Sequence, residues 1–349
     1  MNQKPELVLL TGDKGFYGQT RKAWVSMDIS MLETRLSSMG YTIQRYTFQE
    51  LYNRNILFSG KTILYSFSQK ENVRQYIRDI IFHLSKTNTV IPSVDLLLCH
   101  ENKGYQELYK REMKMTGLKA WYFSGLQDID SYDIPYPVVL KTVSGSNGKG
   151  VFLIPDQKSL ERQVQKLTRV GFWTRVDLFR RRYFRKRSYP DYPLHDDYQD
   201  YLQYREYITQ HRNFILQEFI PGLTYDTRVL ALEGKFFVTR RHTRKGDFRA
   251  SGTKKFDFDF TPDDGLLEFA SKTVERFNTP FLSMDIIHNE ETFYLIEFQA
   301  SHFGVNVITK SRGYYTREGD SWAFKDDKQA VELEIADALD RYLKRRVES

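Results

Sequence analysis

One cysteine, Cys99, stands in 349 residues. That excludes a disulfide framework and any zinc site built from several thiolates. No Asn-x-Ser/Thr sequon occurs, as expected of a chain in the reducing cytosol. No apolar run approaches the roughly 20 residues that a membrane span needs. The first apolar stretch ends at Leu10, before Asp13 and Lys14, too short for the core of a secretory signal. A cytoplasmic location is the expectation. The phosphate loop G-x-x-x-x-G-K-[ST] and the dinucleotide fingerprint G-x-G-x-x-G are both missing. The seven histidines show no metal-like spacing, and neither an internal repeat nor a low-complexity linker is found.

What is there is a globular composition: 40% hydrophobic and 28% charged residues, too apolar for a disordered chain. The length suits two or three domains. The net charge is +7. Residues 175–187 hold seven basic side chains against Asp177, and so carry six of those seven charges. The protein has one basic patch rather than a basic surface, and no nucleic-acid partner is expected.

Along the chain, PELVLLT reads as a strand, followed by a loop with Gly12, Gly15 and Gly18. The stretch 28–39 reads as a helix, with Asp28 or Ser30 as N-cap and Gly40 as its stop. Strands YTIQRYTF and KTILYSFS and the helix NVRQYIRDIIFHLSKT complete an alternation that indicates an open α/β sheet over residues 1–95. Residues 105–117 read as a helix closed by Gly117. TRVLALEGKFFVTRRH reads as a hairpin turning at Glu233-Gly234, and FLSMDIIHNEETFYLIEFQ as a second, turning at 288–291. QAVELEIADALDRYLKRR reads as an amphipathic C-terminal helix.

Three constellations carry chemistry. Lys141 precedes Ser144, Gly145, Ser146, Asn147, Gly148, Lys149 and Gly150 between two apolar strands. Glycines let a backbone wrap an anion, and its N–H groups cradle phosphate oxygens; a flexible polar hairpin is the plainer alternative. Asp285 lies in one strand, and Glu297 and Gln299 lie in its hairpin partner. Glu297 and Gln299 share a face because strand side chains alternate, and Asp285 joins them if the register is right. Two carboxylates and an amide oxygen make a hard site suited to Mg²⁺; a buried salt bridge is the alternative. Asp226 and Arg228, with Arg240, Arg241 and Arg249 beyond them, form a guanidinium cluster of the kind an anionic intermediate requires.

The order of these blocks, VVLKTVSGSNGKGV, ILQEFIPG, DTRVLALEGK, RRHTRKGDFRASG and MDII…FYLIEFQ, resembles the ATP-grasp superfamily. It is similar to that superfamily's carboxylate–amine ligases: ribosomal-protein glutamate ligases, glutathione synthetases and D-alanine–D-alanine ligases. The resemblance covers about residues 95–310. It implies an α/β chain with α+β lobes: an N-terminal open-sheet domain at 1–95, a small lobe at 96–220 and a C-terminal lobe with the metal site at 221–349, with ATP between the lobes. It implies ATP and Mg²⁺ as cofactors, with Mn²⁺ as an alternative metal. Lys141 and Lys103 would meet the phosphates, and residues 144–150 would form the loop over them. Gln217, Glu218, Phe219 and Ile220 would be the segment whose backbone pairs with adenine. Asp226 would reach the ribose or position Arg228. Arg249, with Arg228 and Lys141, would steady the transferred phosphoryl group, and Asp285, Glu297 and Gln299 would hold the metal.

The implied activity is a ligase that activates a carboxylate as an acyl phosphate and joins it to an amine. Phosphoryl transfer as the end product and a silent nucleotide or polyanion binder stay open. Two departures bear on the acceptor. Gln299 stands where Asn is usual, and Ser301-His302-Phe303-Gly304 stands where Ser-Pro-Gly is usual. The basic, Tyr-rich insertion at 171–213 reads as a helical hairpin, with Tyr198, Tyr201, Tyr204 and Tyr207 on one stripe. A solvated face, a dock for an acidic glycan or peptide, and peripheral contact with an anionic membrane are its three readings. The partners expected are a small-molecule carboxylate and an amine. The loop with Lys14, Tyr17 and Arg21, at a strand's C-terminal end, is a candidate acceptor site.

Overall fold

The computed structural model describes residues 6–19, 25–115, 117–126, 129–145, 148–168, 170–184, 197–208 and 213–348. Ser146, Asn147, Arg21 and the basic residues 185–187 lie outside them. The chain forms two compact units. One takes residues 1–118, 146–148 and 220–349, and the other takes 119–145 and 149–219.

The first unit begins with β1 (Glu6–Thr11), α1 (Ile29–Ser38), β2 (Thr42–Thr47), α2 (Phe48–Asn53), β3 (Thr62–Tyr65), α3 (Glu71–Leu84), β4 (Thr89–Ile91), α4 (Val94–Cys99) and α5 (Lys103–Glu112). The second unit contains β5 (Ala120–Phe123), β6 (Val138–Thr142), β7 (Val151–Ile154), α6 (Gln157–Leu167), α7 (Phe172–Tyr183), α8 (Asp197–Ile208) and β8 (Phe214–Glu218). The first unit then resumes with β9 (Tyr225–Leu232), β10 (Lys235–His242), β11 (Phe256–Asp257), α9 (Asp264–Phe277), β12 (Phe281–His288), β13 (Phe293–Gln299), α10 (Asn306–Lys310), β14 (Tyr314–Glu318), β15 (Ser321–Lys325) and α11 (Val331–Glu348).

The first unit holds a parallel sheet in the order β2-β1-β3-β4 and an antiparallel sheet in the order β13-β12-β9-β10-β14-β15, with β11 on β10. Leu7 to Leu10 of β1 are all buried, because a parallel strand is covered on both faces. Leu7 and Leu9 pack with Leu32, Leu36, Ile335 and Leu339, while Val8 and Leu10 pack with Ile77 and Ile81. Asp28 caps α1, accepting from the Ser30 and Met31 amides at 3.0 and 3.1 Å. Helix α5 starts at Lys103, where Asn102 accepts from the Tyr105 amide. It ends at Glu112 rather than running to Gly117, because Lys114 adopts a left-handed conformation at φ 50°.

The antiparallel sheet sorts its residues by face. Val229, Met284, Ile286, Leu295 and Phe298 join the core under α9. The other face begins apolar at Leu230, Leu232, Phe237 and Phe281, then turns charged along the same strands. In the second unit, the sheet runs β5-β8-β6-β7, all antiparallel. Val138, Leu140, Phe214 and Leu216 supply its core with Leu160 and Val164 of α6. The insertion forms the helices α7 and α8, as its sequence implied. Its tyrosines do not hold one stripe. A three-residue spacing falls about 60° short of a full helical turn at each step. Thus Tyr204 bonds Asp177 at 2.7 Å, whereas Tyr207 is 87% exposed.

Candidate active site

The charged half of the sheet face is set by register. Strands β9 and β10 are joined by the two-residue turn Glu233-Gly234, both at positive φ (35° and 88°), as a tight hairpin requires. Partners lie symmetrically about it, from Leu232 opposite Lys235 to Asp226 opposite Arg241. Cross-strand partners point the same way, so Asp226, Arg228 and Arg241 share a face. Strand β12 adds Asp285 opposite Arg228.

The second hairpin is irregular, and the irregularity matters. From the turn, His288, Ile287 and Ile286 face Phe293, Tyr294 and Leu295 in step. Continued, that register would set Ile296 opposite Asp285 and turn Glu297 to the other side, since a one-residue slip flips every side chain. A β-bulge between Asp285 and Ile286 shifts the pairing, and Glu297 stands opposite Asp285 and Gln299 opposite Ser283. The bulge leaves one extra residue on β13. It thereby brings Asp285, Glu297 and Gln299 to one face.

These groups differ in how they are satisfied. Arg241 donates to both oxygens of Asp226 at 2.6 Å. Arg228 donates to both oxygens of Asp285 at 2.7 and 3.0 Å, and Arg241 reaches Asp285 Oδ2 at 2.7 Å. The buried four-charge network sums to zero. Burial opposes the charge on Asp285, but the Arg228 and Arg241 guanidiniums outweigh it and hold the carboxyl well below the usual range. Asp226 is raised instead, by burial first, which Arg241 only partly offsets. A carboxylate offers about four lone-pair positions. Asp285 has three taken, which leaves one on Oδ1. Glu297 is half-buried and makes no ion pair or hydrogen bond among the described residues. Gln299 is 8% exposed, and its side-chain amide is likewise without a partner among them.

Asp226 is engaged by Arg241 rather than positioning Arg228, and Arg228 is clamped on Asp285. Arg249 pairs with Asp247 at 2.9 Å through Nε and through Nη2. Its Nη1 donates to the Gly148 carbonyl at 3.3 Å. Its guanidinium, bonded to the Asp247 carboxyl, lowers that carboxyl's pKa. In the second unit, Lys141 Nζ donates to Gln217 Oε1 at 2.6 Å. The two sit on adjacent strands, on the face away from α6. Thr142, Ser144, Gly145 and Gly150 shape the loop between β6 and β7. A side chain on Gly145 would meet the Lys149 carbonyl, and one on Gly150 would collide with Thr142 Oγ1. Glu218 gives its N–H to the Lys119 carbonyl at 2.8 Å, so a ligand beside this segment must pair with other backbone groups of 217–220.

Lys103 begins α5 and is buried. Sequence reasoning missed what holds that helix. Gln106 Nε2 donates to the Phe298 carbonyl at 3.0 Å, and the Phe298 amide donates back to Gln106 Oε1 at 3.4 Å. An amide side chain thus satisfies the edge strand β13 between Glu297 and Gln299. Lys110 adds a bond to the Leu295 carbonyl. In the sequence Arg241 stands only as one of a cluster. Its partner was legible in the symmetry of the hairpin, but the clamp of Gln106 had no local signal.

In the parallel sheet, the strand order reverses between β1 and β3, where such sheets bind ligands beyond their carboxyl ends. A cavity of about 300 Å³ lies there, lined by Gly12, Asp13, Phe16, Phe67, Ser68 and Lys70 among others. Tyr17 is not part of its lining; it is buried, and that burial pushes its hydroxyl pKa up.

No protein-family model and no curated protein matches the chain. Solved structures do. The chain is similar to an ATP-grasp RimK-domain protein from Sphaerobacter thermophilus, with TM-score 0.51 and 12% identity over 95% of this chain and 97% of that one. It is similar to D-alanine–D-alanine ligase from Bacillus anthracis, with TM-score 0.53 and 12% identity over 99% of both. It is also similar to the ATP-grasp ligase PsnB, solved with a minimal precursor, Mg and ADP, with TM-score 0.52 and 10% identity over 99% of this chain and all of that one (100%). The class that these likenesses define is the ATP-grasp fold.

Proposed function

We propose that the protein is an ATP- and Mg²⁺-dependent ligase that activates a carboxylate as an acyl phosphate and couples it to an amine. The observation that carries this reading is the bulged hairpin. Within an ATP-grasp fold, it sets Glu297 and Gln299, whose side chains have no partner among the described residues, beside Asp285, whose Oδ1 keeps one position. These are hard oxygen donors. Mg²⁺ is commonly held by one or two carboxylates, with substrate phosphates completing its shell. The fit therefore needs no larger acidic cluster, and no group of three or more His, Cys, Asp or Glu suited to a metal exists among the described residues. When bound, the metal would neutralise phosphate charge.

The chain's own residues would do the rest. Lys141 and Lys103 would each offer an ammonium group to phosphate oxygens, as the resemblance implies. Arg249, oriented by Asp247, steadies the transferred phosphoryl group. A carboxylate does not react with an amine at neutral pH because oxide is a poor leaving group. Phosphorylation supplies a good one, and positioning plus charge stabilisation then dominates. The acceptor enters beside the β1–β3 switch-point cavity. Among structures similar to this chain, the macrocyclase MdnC is bound with a precursor peptide and PsnB is complexed with a minimal precursor, and a peptide carboxylate or amine is a substrate class to test first.

The experiment is to incubate the protein with ATP, Mg²⁺ and pools of carboxylates and amines, and to follow ADP, phosphate and amide together. Amide formed in step with ADP is expected. A stable phosphorylated product would make it a kinase, and no ADP under any pool would make it a binder.

A further inference from the structure

Helix α7 turns its aromatic residues away from the protein. Phe172, Val176, Phe179 and Tyr183 recur at the spacing that aligns one face of a helix. Phe172 is 70% exposed, Phe179 59% and Tyr183 66%, and the neighbouring Trp173 is 80% exposed. Their rings meet one another: Phe172 and Trp173 lie 5.4 Å apart, and Phe179 and Tyr183 4.9 Å. The opposite side of α7 makes the hairpin's own contacts. Leu178 is buried, Arg181 stacks on Tyr204 at 3.7 Å, and Arg182 on Tyr198 at 4.0 Å. Arg175 and Arg180 are exposed and flank the aromatic stripe on its two sides. Arg180 also pairs with Asp177.

We infer that this face of α7 docks on an anionic lipid surface, with the aromatic stripe at the acyl boundary and Arg175 and Arg180 among the headgroups. Exposed rings at helical spacing between arginines are the pattern of a helix lying in the interface plane. Trp and Tyr prefer that depth. Charge complementarity selects anionic lipid, because the helix carries four arginines against one aspartate. The stripe is the outward side of a single helix. That convex surface suits a deformable bilayer better than an extended peptide, which needs a groove. No helix among the described residues is long and apolar enough to cross a membrane, so the contact is peripheral.

The test is sedimentation of the full chain with vesicles of phosphatidylcholine alone and of phosphatidylcholine with phosphatidylglycerol. Binding to the mixed vesicles, weakened by salt, is expected. The triple variant Phe172→Ser, Trp173→Ser, Phe179→Ser should lose roughly 1000-fold or more in partitioning, since each of the three rings buried is worth about 10-fold or more. Arg175→Glu with Arg180→Glu should lose roughly 30-fold, from about a tenfold effect or less per charge. Circular dichroism should match the parent in both, and melting should match in the triple variant and fall only slightly in the double, whose one lost contact is the exposed Arg180–Asp177 pair. A chain that stays in solution with both vesicles overturns the inference. So does equal binding to both vesicle types, or undiminished binding in either variant. Binding to poly-L-glutamate without vesicle binding would assign the face to an acidic peptide and overturn it. A dimer dissolved by the triple variant, without vesicle binding, would assign it to a second copy and do the same.

Discussion

The two hairpins of the antiparallel sheet carry the same kinds of side chain and use them differently. Between β9 and β10, a tight turn and an unbroken register bring Asp226 opposite Arg241, and the charges are satisfied within the protein. Between β12 and β13, a bulge shifts the register. It leaves Glu297 beside the network without a guanidinium of its own among the described residues. Regular pairing yields a structural ion cluster, and a one-residue irregularity yields the site proposed here to hold a metal. Bulges recur beside active sites because they re-aim a side chain.

The comparison can be broken by removing one partner from each hairpin. Arg241→Met leaves Asp226 buried and unpaired and takes one donor from Asp285. It should cost about 3–5 kcal/mol of unfolding free energy, read by urea denaturation. A loss within the error of the measurement would sink the structural reading of the first hairpin. Glu297→Ala should instead leave the melting curve unchanged and abolish ADP release, a loss of at least 30- to 1000-fold, or about 2–4 kcal/mol at the transition state. Wild-type turnover in that variant would remove the metal assignment.

Smaller effects sharpen the contrast. Gly234→Ala forces a side chain into a left-handed turn position and should cost roughly 1–2 kcal/mol without touching activity; lost activity would mean that the first hairpin also serves the site. Acid should act on the network with opposite signs at its two acids. Asp285 is depressed in the folded chain, so its stabilisation is present above the unfolded carboxylate value of about 3.9. It fades as pH falls toward the lower folded value, because the unfolded chain then binds more protons. Asp226 is raised, so its ionised form costs stability, and protonation relieves that cost. Asp285→Asn should therefore show a shallower loss of stability between pH 4 and 2 than the parent, measured by urea unfolding at each pH. An identical slope would place the acid response elsewhere.

Much of this architecture is legible in the residues. The alternation of strands and helices, the cap at Asp28 and the Glu233-Gly234 turn follow from local rules. That turn also fixes the register, and with it the pairing of Asp226 and Arg241. The bulge is another matter. Read from its turn alone, the second hairpin would put Asp285 and Glu297 on opposite faces. What moves them together is the demand that Leu295 and Phe298, three residues apart, both reach the core under α9. Gln106 is invisible for a related reason: its partner is the backbone of Phe298, distant in sequence and presenting no side-chain signal. The spacing of three among the tyrosines was misleading because it drifts around a helix, whereas the aromatic stripe of α7 follows the helical period.

By itself the sequence determined the elements, the order of the chemical blocks and the first hairpin's register, because turn geometry and side-chain alternation act between near neighbours. Tertiary structure alone decided which carboxylate is paired and which has no ion-pair partner among the described residues. Burial of apolar residues on the far side of the sheet chose the register there, and a charge's partner depends on which face it is made to occupy.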